Sequence, residues 1–300
     1  MKVAIILNGI SRKKKKFYNE IFPALSRHFN IDVFETAGAG EAESLAAAAV
    51  ANKFSFILSA GGDGTLHQVV NGVLKNVSEA DLPSIGLIPL GSGNDFARAG
   101  SISPEPDQII QLLKSAQPKP TDVGQITCLD KGGGAIIRYF MNACSIGMGP
   151  EVVKRMGKRS PLWGPDLSYF ISIISTFISH RPQPLYVKMP QYEWKGNARV
   201  FAIANGQSFG NSIYLAPEAR LDDGVFNSFI AGEVPLWKFL LYLQKIKGKQ
   251  KINDSMVHYY STSSAELSAD ESSALEADGE FVGFLPASIK VLPKKIRFLR

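Results

Sequence analysis

The sequence predicts an α/β N-terminal region built on a mostly parallel sheet, followed by a β-rich antiparallel sandwich. Three observations carry this expectation. Short apolar runs alternate with helical patterns through the first third of the chain. From about Thr121 the pattern changes to short strand-like segments separated by Gly, Pro, Asn and Asp. Pro118 and Pro120 stand where the two textures meet.

Taken in order, Val3–Leu7 is an apolar run closed by Asn8-Gly9, as expected of a strand buried on both faces. A helical pattern runs from Phe17 to Phe29, and an edge-like strand follows at Ile31 to Phe34. The alanine-rich stretch Glu41 to Val50 is a strong helix by propensity. Phe54 to Leu58 is the next strand, ending by Ser59, then a helix from near Leu66 to Leu74 and a strand from Ile85 to Leu90. Such βαβ units place ligands beyond the carboxyl ends of their strands. In the second part the strand-like segments are Ile136 to Asn142, Leu185 to Met189, Arg199 to Ala204, Val225 to Ile230, Val257 to Ser261 and Ile289 to Leu292. Helical stretches at Asp166 to Ser179 and Leu236 to Ile246 interrupt them. The expected domains are residues 1–122, joined by a tail from about 294 to 300, and residues 123–293.

Composition narrows the function classes. The chain has 300 residues, 45% of them apolar, and a formal net charge of +6 from 33 Lys plus Arg against 27 Asp plus Glu. This is globular composition with a mild basic excess, which suits an anionic partner: nucleic acid, a nucleotide or an acidic membrane surface. Two cysteines, Cys128 and Cys144, exclude a disulfide scaffold and point to a reducing cytoplasm. No signal peptide is expected, since only five apolar residues separate Lys2 from Asn8. The apolar stretch Leu167 to Ile178 is shorter than the roughly 20 residues that cross a bilayer. It reads as core, with a lipid-facing edge as the alternative. The four histidines show no metal-ligand spacing, and no nucleic-acid motif is present.

Two loops carry the chemistry. Gly61-Gly62-Asp63-Gly64-Thr65 lies between a strand and a helix. Its glycines let backbone N–H groups approach a phosphate chain, the helix N-terminus adds partial positive charge, and Thr65 offers a hydroxyl. A carboxylate beside phosphates needs a cation between them, so Asp63 implies Mg²⁺. The plainer alternative is a turn whose Asp caps the helix. After the next strand comes Gly91-Ser92-Gly93-Asn94-Asp95-Phe96-Ala97-Arg98, in which Asn94 or Asp95 could cap the following helix. Neither loop is a GxxxxGK[ST] or GxGxxG motif. The basic run Arg12 to Lys16, just after the first strand, could meet nucleotide, lipid headgroups or only solvent.

Together these loops resemble the diacylglycerol kinase catalytic-domain family, which is related in fold to NAD kinases and 6-phosphofructokinases. Ala216-Pro217-Glu218-Ala219-Arg220-Leu221-Asp222-Asp223-Gly224 is similar to that family's Pro-x-Ala-x-x-x-Asp-Gly turn, and Glu276-Ala277-Asp278-Gly279-Glu280 to its Asp-Gly-Glu signature. With Asn205-Gly206, the resemblance spans nearly the whole chain. Departures are Asn8-Gly9-Ile10-Ser11 where the family has Asn-Pro-x-Ser-Gly, Ser92 in place of Thr, and Gly210-Asn211-Ser212 where a glycine triplet is common.

The resemblance implies an ATP-dependent lipid kinase. Asp278 would be the general base that takes the proton of the lipid hydroxyl, and Glu280 would help hold nucleotide or a metal. Asp223, with its neighbour Asp222, would hold a structural Mg²⁺; a simple β-turn is the alternative at both Asp-Gly sites. Asn8, Gly61 to Thr65, Gly91, Ser92, Asn94 and Asp95 would contact nucleotide. Lys158 falls near a basic position used by bacterial members. The expected partners are ATP, a lipid alcohol and, transiently, an anionic membrane surface, with the reaction cleft between the domains and the protein cytoplasmic or peripheral. Nucleic acid is not expected, and a homodimer stays open. The rival readings are a soluble-substrate kinase of the NAD kinase type and a non-catalytic nucleotide-binding regulator.

Overall fold

A computed structural model describes residues 2–75, 82–158, 165–210, 213–269 and 273–300, with residues 157, 158, 165 and 166 described by their backbone alone. The chain divides into two units, residues 1–122 with 294–300, and residues 123–293.

In the first unit, β1 (Lys2–Leu7) leads to α1 (Lys14–Lys16), a π-helical turn (Phe17–Ile21) and α2 (Phe22–Ser26). This helical passage starts three residues before the expected Phe17 and ends three before Phe29. There follow β2 (Asn30–Glu35), α3 (Glu41–Ala51), β3 (Phe56–Gly61), α4 (Asp63–Leu74), β4 (Ser84–Pro89), α5 (Asp95–Ala99) and α6 (Pro106–Ser115). The strands are parallel: β1 pairs with β2 and β3, and β3 with β4. Phe298 and Leu299 add a fourth parallel pairing beside Ile85 and Gly86 of β4. The central strands are buried on both faces, which is why they read as continuous apolar runs. One core cluster joins Val3, Ile5 and Leu7 to Phe17, Ile21 and Leu25 and to Ile109 and Leu113. On α4, Gly72 lies so close to α3 that a Cβ would stand 2.1 Å from the Glu43 carbonyl oxygen.

The second unit begins within β5 (Lys119–Leu129) and continues through β6 (Ala135–Phe140), β7 (Ala143–Gly147), α7 (Met148–Lys158), α8 (Pro165–Ser179), β8 (Gln183–Lys188), β9 (Glu193–Ala198), β10 (Val200–Ala204), β11 (Phe226–Ala231), α9 (Leu236–Lys247), β12 (Val257–Thr262), β13 (Ser264–Ser268), β14 (Ala274–Ala277) and β15 (Glu280–Leu299). An antiparallel sheet runs β12-β11-β10-β7-β14-β15. A second run, β9-β8-β13, also pairs with β15, so this one strand belongs to both layers. The layers share a core that includes Ile146, Ile203, Phe226 and Leu275 from the first and Val187, Leu267 and Ile289 from the second.

Strand alternation then brings the opposite residues, Ala202, Phe229 and Ala231, against Val152 of α7, Ile173 and Phe177 of α8, and Leu243 of α9. The sandwich expected from the sequence is present, but one of its sheets is covered by helices on its outer face. Helix α7, absent from the sequence reading, opens with Met148-Gly149-Pro150, and a proline suits a first helical turn.

Candidate functional site

The carboxyl ends of β1, β3 and β4 bring together Asn8, Gly61–Thr65 and Gly91–Asp95. β3 extends through Gly61 rather than stopping at Ser59, and α4 starts at Asp63 rather than near Leu66. The correction has a local cause. Gly62 is extended, and the Leu66 N–H already bonds to its carbonyl (3.1 Å), so Asp63, Gly64 and Thr65 form the first helical turn.

Loop meets loop through backbone. The Leu90 and Gly91 amides both donate to the Gly61 carbonyl, at 2.9 and 3.1 Å. A Cβ on Gly91 would lie 2.4 Å from the Gly62 Cα, so only glycine allows this approach. Asn8 Nδ2 donates to Thr65 Oγ1 (3.2 Å), and the Ser11 hydroxyl donates to the Leu90 carbonyl (3.2 Å).

Asp63 joins the loops more firmly. Its Oδ2 accepts the Asp95 amide (3.0 Å) and its Oδ1 the Phe96 amide (2.9 Å). The cap of α5 is therefore supplied from the preceding helix, and neither Asn94 nor Asp95 caps it. Asn94 enters α5 in the left-handed conformation and donates through Nδ2 to the Gly91 carbonyl (3.0 Å), while its buried Oδ1 has no protein partner. Asp95 is buried and pairs with Arg98 at 2.6 Å; Ser92 is exposed. Three residues of the basic run are engaged: Lys13 donates to the Gly91 carbonyl (3.1 Å), Lys14 pairs with Glu35, and Lys16 with Glu105 at 3.7 Å.

In the second unit Asp278-Gly279 is the two-residue turn between β14 and β15, with positive φ of 52° and 84°. This is the backbone of a type I′ hairpin, for which Asp-Gly is suited. The turn does more than reverse the chain. Asp278, 8% exposed, accepts three successive amides: Met141 at 2.8 Å, Asn142 at 2.9 Å and Ala143 at 3.2 Å. Asn205 braces this nest by donating through Nδ2 to the Met141 carbonyl (2.9 Å), and its amide donates to the Asn142 carbonyl (2.8 Å).

Beside it lies a group that sequence reasoning missed. Glu276 is fully buried, accepts the Ser145 hydroxyl, and accepts the Gly279 amide at 3.1 Å. Burial pushes its pKa up to about 8, and the nearby Asp278 and Glu280 charges push the same way. Glu276 thus holds its proton at neutral pH. The available signal was its place two residues before Asp278. Glu280 opens β15 and is half-buried.

Asp222 and Asp223 are exposed in the turn before β11, where Asp223 Oδ1 accepts the Val225 amide (3.1 Å). Among the described residues no three His, Cys, Asp or Glu converge on a metal position. The two adjacent carboxylates are nevertheless hard oxygen donors of the kind and number a hydrated Mg²⁺ takes from a protein. The Lys158 side chain and Asn211-Ser212 lie outside the described residues.

Comparison with known proteins bears on the whole chain. Residues 2–126 match the diacylglycerol kinase catalytic domain, and residues 143–300 match the YegS C-terminal NAD kinase beta sandwich-like domain. The chain is 28% identical over 267 residues to the diacylglycerol kinase of Bacillus subtilis (strain 168), covering 87% of this chain and 82% of that protein. It is 32% identical over 226 residues to a protein of Xanthomonas campestris pv. campestris (strain 8004) named "Probable lipid kinase YegS-like", covering 74% and 71%. The crystal structure of a diacylglycerol kinase from Bacillus anthracis str. Sterne superposes with a TM-score of 0.73 at 19% identity, covering 99% of this chain and 96% of the other. That last likeness concerns the fold.

Proposed function

The chain belongs to the family of diacylglycerol kinases and YegS-like lipid kinases, and from that membership we propose that it transfers the γ-phosphate of ATP to the hydroxyl of a lipid such as diacylglycerol or a related glycero- or sphingolipid. The observation that carries this reading is the buried Asp278 carboxylate, fixed by three amides at a strand end. A carboxylate so held costs no reorganisation when a hydroxyl approaches.

In the proposed reaction the lipid hydroxyl oxygen attacks the γ-phosphorus and its proton passes to Asp278. The bond between the γ-phosphorus and the bridging oxygen breaks, and ADP leaves with that oxygen. Glu276, held protonated by its burial, lies beside it and accepts the Gly279 amide of the same turn. In the first unit, amides of Gly61–Thr65 and Gly91–Asp95 would line the phosphates. The exposed Ser92 hydroxyl and the unpartnered Asn94 Oδ1 would bond to nucleotide. Asn8 would act through Thr65, and Glu280 toward the nucleotide.

Asp223 and Asp222 would hold Mg²⁺ in the second unit and Asp63 would hold one in the first; the ion would supply positive charge to offset the phosphates. No described helix is long and apolar enough to cross a membrane, which agrees with a protein that meets its lipid from the cytoplasm by transient contact.

The test is transfer from radiolabelled ATP to diacylglycerol, monoacylglycerol, phosphatidylglycerol, sphingosine and ceramide in mixed micelles, with NAD as the soluble rival. Labelling of at least one lipid is expected. Labelling of NAD alone would overturn the reading.

A further inference from the structure

Helix α8 has apolar residues on both sides. Beside Ile173 and Phe177 it buries Ser172 and Thr176, both 0% exposed, while Leu167, Phe170 and Ile178 stand 48%, 40% and 66% exposed. Apolar residues facing water while hydroxyls occupy the core require an explanation.

Helix α9 lies beside it and also exposes apolar residues. Phe177 of α8 stacks on Phe239 of α9 at 4.0 Å, and the Lys247 ammonium sits 5.7 Å from the Phe170 ring centre. The two pairings run in opposite directions, late with early and early with late, so the helices are antiparallel neighbours. The exposed apolar residues of α9 are Leu236, Trp237, Leu240 and Leu241, at 40%, 62%, 43% and 53%. The last three repeat at the i, i+3, i+4 spacing that puts them on one side of the helix.

Charge identifies the occupant. Residues 236–251 contain five lysines, at 238, 245, 247, 249 and 251, and no acidic residue. Lys238 is paired with Asp254 and Lys251 with Glu218, but Lys245 and Lys247 close the exposed face. A second copy meeting this face about a two-fold axis would oppose its own cations. An anionic bilayer satisfies both the apolar residues and the lysines, as interfacial helices with Trp and Leu on one side and Lys at the edge do.

We propose that the outer faces of α8 and α9, centred on Phe170, Trp237, Leu240 and Leu241 and edged by Lys245 and Lys247, dock this protein on an anionic lipid bilayer. The proposal rests on the lipid-kinase reading for its purpose, since the substrate would reside in that bilayer, but it is measured without catalysis.

The experiment is co-sedimentation of the full chain with vesicles of equal parts phosphatidylglycerol and phosphatidylcholine, and with phosphatidylcholine vesicles alone. The wild type should pellet with the mixed vesicles and lose binding as salt rises. The double substitutions Leu240→Glu with Leu241→Glu, and Lys245→Glu with Lys247→Glu, should each weaken binding by about tenfold or more. All four positions are exposed, so thermal unfolding should be unchanged, as should phosphorylation of monomeric dihexanoylglycerol. A wild type that ignores the mixed vesicles, or variants that bind like it, would overturn the proposal. So would a wild-type dimer that Leu240→Glu with Leu241→Glu dissolves while vesicle binding persists. Vesicle binding with these sensitivities in a protein that phosphorylates no lipid would support the docking face and defeat the kinase reading alone.

Discussion

Two aspartates, each followed by glycine at a strand end, do the same thing with their oxygens and differ in everything around them. Asp63 reaches across to the Asp95 and Phe96 amides and holds two loops of the first unit together. Asp278 accepts the Met141, Asn142 and Ala143 amides and fixes a hairpin of the second unit. Asp63 sits half-exposed in the first turn of a regular helix, where its conformation costs nothing special. Asp278 sits buried at positive φ, beside a second carboxyl that burial keeps protonated. A carboxylate used as a tether needs amide partners and little else. One buried beside a neutral acid carries costs that a hairpin alone does not require.

Breaking each feature separately sharpens the contrast. The largest effect is expected from Asp278→Asn: a loss of lipid phosphorylation of roughly a thousandfold, the scale of a general base. An amide NH₂ must then face one of the three backbone N–H groups, so thermal unfolding should also show a loss of about 1–3 kcal/mol.

Next comes Glu276→Gln. Folded, Glu276 keeps its proton to about pH 8, while in the unfolded chain it releases it near 4.5. Between these values the folded state binds the extra proton, so wild-type stability should fall as pH rises, by on the order of a few kcal/mol. Denaturant titrations at several pH values should show that slope in the wild type and lose it in Glu276→Gln, where the lowered His180 pKa favours stability that rises with pH instead.

Gly91→Ala should separate the loops, since its Cβ has no room against Gly62. ATP affinity by calorimetry should weaken by about tenfold or more, in line with a packing cost of about 1–3 kcal/mol. The smallest effect belongs to Asp63→Asn, which exchanges one of two amide acceptors for a donor. Its stability loss should be about 1 kcal/mol, that of a helix cap.

How much of this was legible in the sequence depends on distance along the chain. The α/β-then-sandwich order was readable because buried parallel strands such as Val3–Leu7 are continuous apolar runs, and short antiparallel strands are set off by turn residues. The glycine loops were readable because three small residues cluster at a strand end. What they hold was not: the cap of α5 comes from a side chain 32 residues away in sequence, and the nest under Asp278 from 135 or more.

Glu276 gives no sign of its burial because β14 is covered on both faces, so alternation does not mark an inside. The serine-in, leucine-out arrangement of α8 is hidden for a related reason. A helix apolar nearly all round reads as core whichever side is buried. β15 was expected as four residues at Ile289 to Leu292, because Pro286, Pro293 and the lysine pair after it read as turn, yet it runs for 20.

The most direct test of the difference between the two aspartates is single-turnover phosphoryl transfer from ATP to diacylglycerol across a range of ATP concentrations, in Asp63→Asn and Asp278→Asn side by side. A tether that positions loops should be compensated by more nucleotide, so Asp63→Asn is expected to approach the wild-type rate at saturating ATP. Asp278→Asn is expected to stay inactive at every concentration. A wild-type rate in Asp278→Asn, or an Asp63→Asn variant that ATP cannot rescue, would contradict the assignment of chemistry to one carboxylate and architecture to the other.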